Sequence, residues 1–211
     1  PGPTAEAPAT SAALRPGREL KFIHVTKTGG TSIEDWGKEH GQLWGRFQTE
    51  YRAPGRPGSP WHHPFPALPA WLRHKYDWFM VVRDPVDRVV SEYYCKYTGS
   101  KTIQRDSEAD FNYWIQGGLN GTRPLQPGSF QRTSDHLDPS SKQHLLRYET
   151  FEADLARILP AYGIKFDHLP KHNKHRGNKY HRGNLWPTTL RLIRDRFASD
   201  FSTFQYQAPA V

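Results

Sequence analysis

The chain has 211 residues, which is enough for one domain with a substantial hydrophobic core. Its 24% charged residues and its mean hydropathy of −0.82 exclude a protein whose body lies within a membrane. The formal net charge of +8 favours an anionic partner, which a nucleotide, a nucleic acid, a lipid headgroup or an acidic polysaccharide would satisfy equally well.

The first 18 residues are rich in Ala, Pro, Gly, Ser and Thr and show no apolar periodicity. This composition predicts a flexible leader at residues 1–18. Residues 19–211 are predicted to form a single domain of ordinary size. Because the chain begins at Pro1 rather than Met, we leave open a signal peptide or a membrane anchor upstream.

The domain opens with a short apolar run at residues 20–25, followed by a cation, two glycines and two hydroxyl residues. This order predicts a strand, a tight loop and a helix. Glycines let the backbone approach a ligand, and free N–H groups at a helix start bind phosphate oxygens. We therefore predict a phosphate-binding loop, the alternative being a glycine-rich turn with a solvated lysine. The loop consists of Lys27, Thr28, Gly29, Gly30, Thr31 and Ser32.

The stretch 51–69 is too rich in Pro and Gly for regular elements. It also contains Trp61, His62 and His63, which are costly residues to leave in a simple connector, so we predict an ordered functional loop. Histidine has an unperturbed pKa of about 6.5, which suits a general base at neutral pH. Both histidines are candidates, and the alternative is that they only bind backbone groups.

A second strand-to-helix junction follows. Residues 78–82 are apolar on both faces, as expected for a buried parallel strand beside the first one. Asp84 can cap the next helix, and Pro85 suits its first turn. Apolar and tyrosine residues then repeat at helical spacing over residues 86–97, which predicts core packing.

This junction also carries groups that bind anions. Arg83 leaves the carboxyl end of the strand and Ser91 lies two helical turns further on, so both can contact one phosphate. Arg88 is either a third anion contact or the partner of Asp84 or Asp87 in a surface ion pair.

The remaining elements complete the predicted fold. Residues 143–148 predict a third strand, which leads into a helix with an apolar face over residues 151–162. One last helix is predicted over residues 187–201, and residues 100–140 are predicted to be loops that shape the acceptor pocket. Strand–helix units with right-handed crossovers predict an α/β three-layer fold with a central parallel sheet, and ligands bind beyond the carboxyl ends of its strands.

The motifs K-T-G-G-T-S at residues 27–32 and R-D-P-x-x-R-x-x-S-x-Y-Y at residues 83–94 resemble the two cofactor-binding motifs of sulfotransferases. The resemblance is strongest to Golgi carbohydrate O-sulfotransferases and covers most of residues 20–206. It implies a P-loop-like sulfotransferase fold that binds 3′-phosphoadenosine 5′-phosphosulfate (PAPS). By this likeness Lys27 and its loop bind the 5′-phosphosulfate, and Arg83 and Ser91 bind the 3′-phosphate.

The resemblance also bears on the base. Uronyl 2-O-sulfotransferases carry a glycine–histidine motif about twenty residues before the second junction, and its histidine is thought to act as the base. The likeness favours His62, although Trp61 replaces the glycine and leaves His63 as the alternative. A carboxylate serves as base in other branches of the family, so three acidic residues are reserve candidates: Glu34, Asp35 and Glu39.

The basic stretch 171–182 contains three histidines but no Cys and no nearby carboxylate, so we predict no metal site there. Related enzymes place a basic loop here, which implies that Lys174 and Arg176 contact an anionic acceptor or close over the cofactor. A solvated basic loop is the alternative. We expect Trp61 and His63 to contact the acceptor as well.

Together these expectations describe an enzyme that moves a sulfuryl group from PAPS to a hydroxyl, on a carbohydrate by family likeness, without a metal. Nucleic acid is not expected as a partner, because most aromatic residues fall on core periodicities. The resemblance implies a Golgi-lumen enzyme with an upstream anchor, with a cytoplasmic location as the alternative. The rival functions are a P-loop small-molecule kinase that uses Mg-ATP and a non-catalytic module that binds polyanions.

Overall fold

A three-stranded parallel sheet lies at the centre of the structure, a computed structural model that describes residues 17–50, 60–95, 107–123, 128–170 and 178–211. The strands are β1 (Leu20–Ile23), β2 (Asp77–Val82) and β3 (Gln143–Arg147), in the spatial order β1-β2-β3. Ile23 lies opposite Met80 and Val82 lies opposite Arg147, so the three carboxyl ends meet at one edge. The three predicted strands and the pairing of the first two are confirmed.

Seven α-helices surround the sheet within the described ranges. They are α1 (Gly30–Glu39), α2 (Ala70–Lys75), α3 (Pro85–Tyr93), α4 (Glu108–Leu119), α5 (Phe151–Ile158), α6 (Pro187–Arg196) and α7 (Ala198–Thr203). In these ranges, no helix combines the length and the apolar composition that crossing a bilayer requires.

Apolar residues cover both faces of the sheet. On one face, Phe22 and Phe79 pack against Trp36 of α1 and Leu155 of α5. On the other face, Ile23 and Met80 form one cluster with Phe65, Leu72 and Phe204. Because successive strand residues point to opposite faces, the buried runs in the sequence require cover on both sides. The predicted α/β fold, a parallel sheet flanked by helices, is confirmed.

The prediction of loops throughout residues 100–140 is wrong for α4. Ser107 and Asp110 form a capping box at its start: the Ser107 hydroxyl accepts from the Asp110 N–H at 3.0 Å, and the Asp110 carboxylate accepts from the Ser107 N–H at 3.3 Å. Phe111 and Ile115 then pack into a cluster with α3 and α6. Residues 96–106 and 124–127 lie outside the described part of the chain.

The single helix predicted over residues 187–201 is also wrong, because the structure divides it into α6 and α7. The break falls at Phe197, whose backbone leaves the helical region at φ −110° and ψ 24°. The turn lets the Asp200 carboxylate accept the backbone N–H groups of Thr133 and Ser134, each at 2.8 Å. The predicted core residues Ile193, Phe197 and Phe201 are nevertheless buried.

Candidate functional site

The loop between β1 and α1 has an unusual backbone. Lys27 and Gly29 both adopt left-handed conformations, with φ of 63° and 84°. The buried Thr28 hydroxyl donates to the Val25 carbonyl at 2.9 Å, so only the backbone N–H of Thr28 is left for a ligand. No side chain caps the start of α1 at Gly29. The loop therefore presents backbone N–H groups and the positive end of the helix dipole at the carboxyl end of β1.

His24, which is not among the residues predicted from the sequence, lies directly against this loop. A Cβ added to Gly30 would lie 2.3 Å from Nε2 of His24, so only glycine admits the ring at this distance. Nδ1 of His24 lies 2.6 Å from Oε1 of the fully buried Glu34, which also accepts the backbone N–H of Arg46 at 2.9 Å. A histidine at the end of the strand, followed by a carboxylate one turn into the helix, is the sequence signal that could have predicted this contact.

The three reserve acidic residues differ in their surroundings. Both oxygens of Glu34 face His24 or Arg46, and its side chain is 1% exposed. Asp35 pairs with Arg46. Glu39 is exposed at the far end of α1, about 13 Å from the loop at 1.5 Å per residue.

Arg83 brings the two strand-to-helix junctions into contact. Its Nη1 donates to the carbonyl oxygen of Lys27 at 3.0 Å, and its guanidinium lies 4.1 Å from the ring centre of Tyr148. Nε of Arg83 is buried and has no hydrogen-bond partner among the described residues. The guanidinium thus lies beside the loop, with a donor that a bound anion can use.

Ser91 and Arg88 lie on α3, but they have different surroundings. Ser91 is 9% exposed, whereas Arg88 is 3% exposed and lies 3.6 Å from Asp200. Burial lowers the pKa of Arg88, and the neighbouring Asp200 carboxylate opposes that effect. The predicted surface ion pair of Arg88 is therefore wrong, since its partner is a buried carboxylate far along the chain. A narrow depression between the loop and α3 is lined by Thr26, Lys27, Arg88, Val89, Glu92 and Phe130.

The acidic residues at the start of α3 bind a different arginine. The Asp84 carboxylate accepts the backbone N–H of Val86 at 2.8 Å, which confirms the predicted cap. Asp84 and Asp87 each lie 3.6 Å from Arg182. The described end of the basic stretch therefore packs beside the second junction. Lys174 and Arg176, the predicted acceptor contacts, lie outside the described residues.

His62 lies against the loop. Its ring meets the His24 ring edge-on, with 4.4 Å between centroids, and a Cβ added to Gly128 would lie 3.3 Å from both the His62 Cβ and the Thr26 Cγ2. Nε2 of His62 is buried without a hydrogen-bond partner in the described part of the chain. Burial, and then the nearby His24, His136, His63 and Lys27, lower the pKa of His62 to about 3. The ring is therefore neutral at physiological pH and has an unused polar atom.

His63 and Trp61 belong to a different surface, a cavity along β1 that we call the β1-edge cavity. Its volume is about 70 Å³. None of the residues predicted to bind the donor lines it. Its lining consists of Lys21, Phe22, Ile23, Leu43, Gly45, Gln48, Thr49, Glu50, Trp61, His63, Phe65, Leu68, Leu72, Tyr76 and Trp78.

Comparison with protein-family models identifies one family for almost the whole chain. The model described as "Sulfotransferase family" matches residues 15–207 and so includes both junctions, the histidine pair and the sheet. No curated protein matches the chain at a significant level. Among the described residues, no group of three or more His, Cys, Asp and Glu side chains is arranged to hold a metal ion.

Proposed function

The chain belongs to the sulfotransferase family, and from that premise we propose that it transfers a sulfuryl group from PAPS to an acceptor hydroxyl. The observation that carries the choice of donor is the contact between Arg83 and the Lys27 carbonyl at 3.0 Å. It joins a phosphate-binding loop to a second cationic group. A nucleotide with phosphate groups at its 5′ and 3′ positions can contact both.

The donor is oriented by groups from both junctions. Lys27, the backbone N–H groups of residues 28–31 and the Ser32 side chain bind the 5′-phosphosulfate, where the left-handed turn and the uncapped helix start support an anion. Arg83 and Ser91 bind the 3′-phosphate. The unpartnered Nε of Arg83 supports this role, because a phosphate would satisfy a buried donor.

The reaction is an in-line displacement at sulfur. The acceptor oxygen forms a bond to sulfur while the bond from sulfur to the bridging phosphate oxygen breaks, and the acceptor proton passes to His62. Negative charge develops on the leaving phosphate. Lys27 and the loop N–H groups stabilise that charge, a contribution of about 3 kcal/mol per donor in comparable sites.

His62 is favoured over His63 as the base because its ring lies against the loop, while His63 lines the β1-edge cavity. A pKa of about 3 makes His62 a weak base in the unliganded protein. The donor brings several negative charges to the same loop, and nearby negative charge raises the pKa of a histidine. Binding of the donor therefore strengthens the base at the moment it is needed.

The acceptor is proposed to be a carbohydrate, and the enzyme is proposed to act in the Golgi lumen. The net charge of +8 and the resemblance of both motifs to Golgi carbohydrate O-sulfotransferases support this. Trp61, His63, Lys174 and Arg176 are the proposed acceptor contacts.

A thermal-shift comparison of 3′-phosphoadenosine 5′-phosphate, AMP and Mg-ATP tests the donor. We expect the bisphosphate to stabilise the protein most, by about 2.7 kcal/mol at one hundred times its Kd, because it alone occupies both junctions. Equal shifts from the bisphosphate and AMP would contradict the proposal. A larger shift from Mg-ATP would favour a kinase, and sulfate transfer that continues in EDTA would support a reaction without a metal.

Arg83→Ala tests the second junction. We expect the variant to lose the preference for the bisphosphate over AMP, because the 3′-phosphate loses its guanidinium, with affinity falling about tenfold to a hundredfold. Arg194→Ala is the control, since the described contacts of Arg194 are with its exposed neighbour Asp195 and with the carbonyl of Val211. An unchanged preference in Arg83→Ala would remove the 3′-phosphate role.

A further inference from the structure

Glu34 and His24 form a buried hydrogen-bonded pair for which the backbone leaves space on two sides. Glu34 is fully buried and His24 is 7% exposed, and the carboxylate Oε1 lies 2.6 Å from the ring Nδ1. A Cβ added to Gly30 would overlap the His24 ring, and one added to Gly45 would overlap the Glu34 carboxylate. A buried carboxylate is costly unless its oxygens accept hydrogen bonds. The neighbouring backbone is therefore arranged around this pair.

The contacts of Glu34 determine how the His24 ring is oriented. Oε1 accepts the backbone N–H of Arg46 at 2.9 Å, and Oε2 lies 3.6 Å from Nε of the same arginine. Because a carboxylate only accepts hydrogen bonds, Nδ1 of His24 carries a proton and donates to Oε1. This bond leaves Nε2 as the ring atom nearest to the Cβ position of Gly30.

The His24 ring in turn packs against His62. The two rings meet edge-on at 4.4 Å between centroids, and Phe22 packs on the His24 ring at 5.6 Å. Nε2 of His62 has no hydrogen-bond partner among the described residues. Contact with the His24 ring is therefore one of the interactions that orient the His62 ring.

We propose that Glu34 and His24 are positioning residues for the base: Glu34 fixes the His24 ring, and that ring fixes the orientation of His62. The inference rests on the proposed sulfotransferase function, in which His62 takes the acceptor proton. A general base must lie within hydrogen-bond distance of the proton that it removes. Misplacement of reacting groups by about 1 Å lowers a rate about a hundredfold.

His24→Asn separates this role from a purely structural one. The asparagine amide nitrogen replaces Nδ1 and keeps the hydrogen bond to Glu34, but the part of the ring that contacts His62 is lost. We expect kcat to fall about tenfold to a hundredfold in a steady-state sulfation assay. Affinity for 3′-phosphoadenosine 5′-phosphate, measured by calorimetry, should change less than about threefold, because the substitution adds no atoms beside Gly30.

His144→Gln is the matched control. His144 lies near the amino end of β3, away from the phosphate-binding loop, and is also 7% exposed. Its Nε2 lies 2.6 Å from the Tyr162 hydroxyl, a hydrogen bond that a glutamine amide keeps. We expect kcat to stay within about twofold of the unmodified protein. An equal loss of kcat in His144→Gln and His24→Asn would overturn the proposal.

Two substitutions test the contribution of Glu34. Glu34→Gln keeps an oxygen that accepts from His24 and from the Arg46 N–H, whereas Glu34→Leu removes it. We expect kcat to be at least about fivefold lower in Glu34→Leu than in Glu34→Gln. Equal kcat values in the two variants would show that Glu34 does not position the base.

A variant that combines His24→Asn with His62→Ala tests whether His24 acts through His62. If His24 only positions the base, its replacement should cost less than about twofold in kcat once the base is gone. A further loss as large as that of His24→Asn alone would overturn the proposal, because it would show that His24 acts independently.

Histidine ring spectra test the contact without relying on catalysis. In ¹H–¹³C spectra of the whole chain, the ring signals of His62 should move in His24→Asn and stay in place in His144→Gln. Unchanged His62 signals in His24→Asn would overturn the proposal. Failure of the proposed function is a separate result: the unmodified protein would bind no 3′-phosphoadenosine 5′-phosphate and transfer no sulfate, while the His62 signals would still respond to His24→Asn.

Discussion

His62 and His63 show how consecutive residues acquire different roles. The ring of His62 contacts His24 beneath the phosphate-binding loop, and His63 lines the β1-edge cavity. Residues 60–62 form a single turn of 3-10 helix, in which neighbouring side chains point in different directions. His63 follows this turn rather than belonging to it, and the different surroundings of the two rings fit the proposed division between base and acceptor contact.

Replacing each histidine separately tests this division. His62→Ala should lower kcat about a hundredfold or more, because it removes the proposed base. His63→Ala should mainly raise KM for the acceptor. The two variants control for each other in a steady-state assay, and a larger loss of kcat in His63→Ala than in His62→Ala would reverse the assignment.

Gly30 is the residue at which the loop tolerates least change. Gly30→Ala would place a methyl group 2.3 Å from the His24 ring, so the ring must leave Glu34 or the loop must move. We expect a loss of about 1–3 kcal/mol in the free energy of unfolding together with weaker nucleotide binding. Urea denaturation and calorimetry measure the two effects.

Gly117→Ala is the matched control for that substitution. A Cβ at Gly117 in α4 meets its nearest atom, Oγ1 of Thr122, at 3.4 Å. This change should leave the unfolding free energy equal or raise it by up to about 1 kcal/mol, because alanine favours a helix interior. A normal nucleotide affinity in Gly30→Ala would show that the contact with His24 does not shape the loop.

At the scale of elements, one ion pair joins α3 to α7 and to the segment that follows residue 128. Arg88 donates to the Gln131 carbonyl and lies 3.6 Å from Asp200, whose carboxylate also binds two backbone N–H groups. Both side chains are almost fully buried. The helix that carries Ser91 is therefore held in place partly by Asp200, which lies more than a hundred positions away in the chain.

Removing the charge of Asp200 should be costly. Asp200→Asn leaves a buried guanidinium without its carboxylate, and we expect a loss of about 3–5 kcal/mol in the free energy of unfolding, measured in urea. Asp195→Asn, on the exposed face of α6, should change it by less than about 0.5 kcal/mol. A combined Arg88→Met and Asp200→Asn variant that is no more stable than Asp200→Asn would argue against the pairing.

At the scale of the whole molecule, buried histidines couple stability to pH. Burial lowers the pKa of both His62 and His136 from 6.5 to about 3, and His136 is 2% exposed. In the unfolded chain these rings gain protons near pH 6.5, while in the folded protein they stay neutral until about pH 3. Lower pH therefore favours the unfolded state across that window.

We expect the free energy of unfolding to fall as the pH decreases from about 6.5 to 4.5, above the range in which most carboxylates titrate. His136 contributes at most about 1.4 kcal/mol per pH unit, and His62, which is less completely buried, contributes less. Urea titrations at several pH values measure the slope. His136→Leu should reduce it, and an unchanged slope in that variant would contradict the assignment.

Sequence by itself determined the parts of this protein that local chemistry encodes. The apolar runs predicted three strands, the glycine pair after Lys27 predicted a loop, and Asp84 with Pro85 predicted the start of α3. Each of these signals depends on hydrogen bonds or burial within a few residues, so it can be recognised in the sequence without knowledge of the fold. The capping box at Ser107 is an equally local signal. The sequence prediction nevertheless assigns loops to this region and therefore misses α4.

Tertiary structure alone decided the pairings between distant residues. Arg88 faces Asp200 rather than Asp84 or Asp87, Arg83 contacts the Lys27 carbonyl, and the ring of His24 lies under Gly30. The β1-edge cavity likewise requires three separate chain segments to come together. Such contacts depend on how whole elements pack, and helical or strand periodicity specifies which face is buried but not what lies against it.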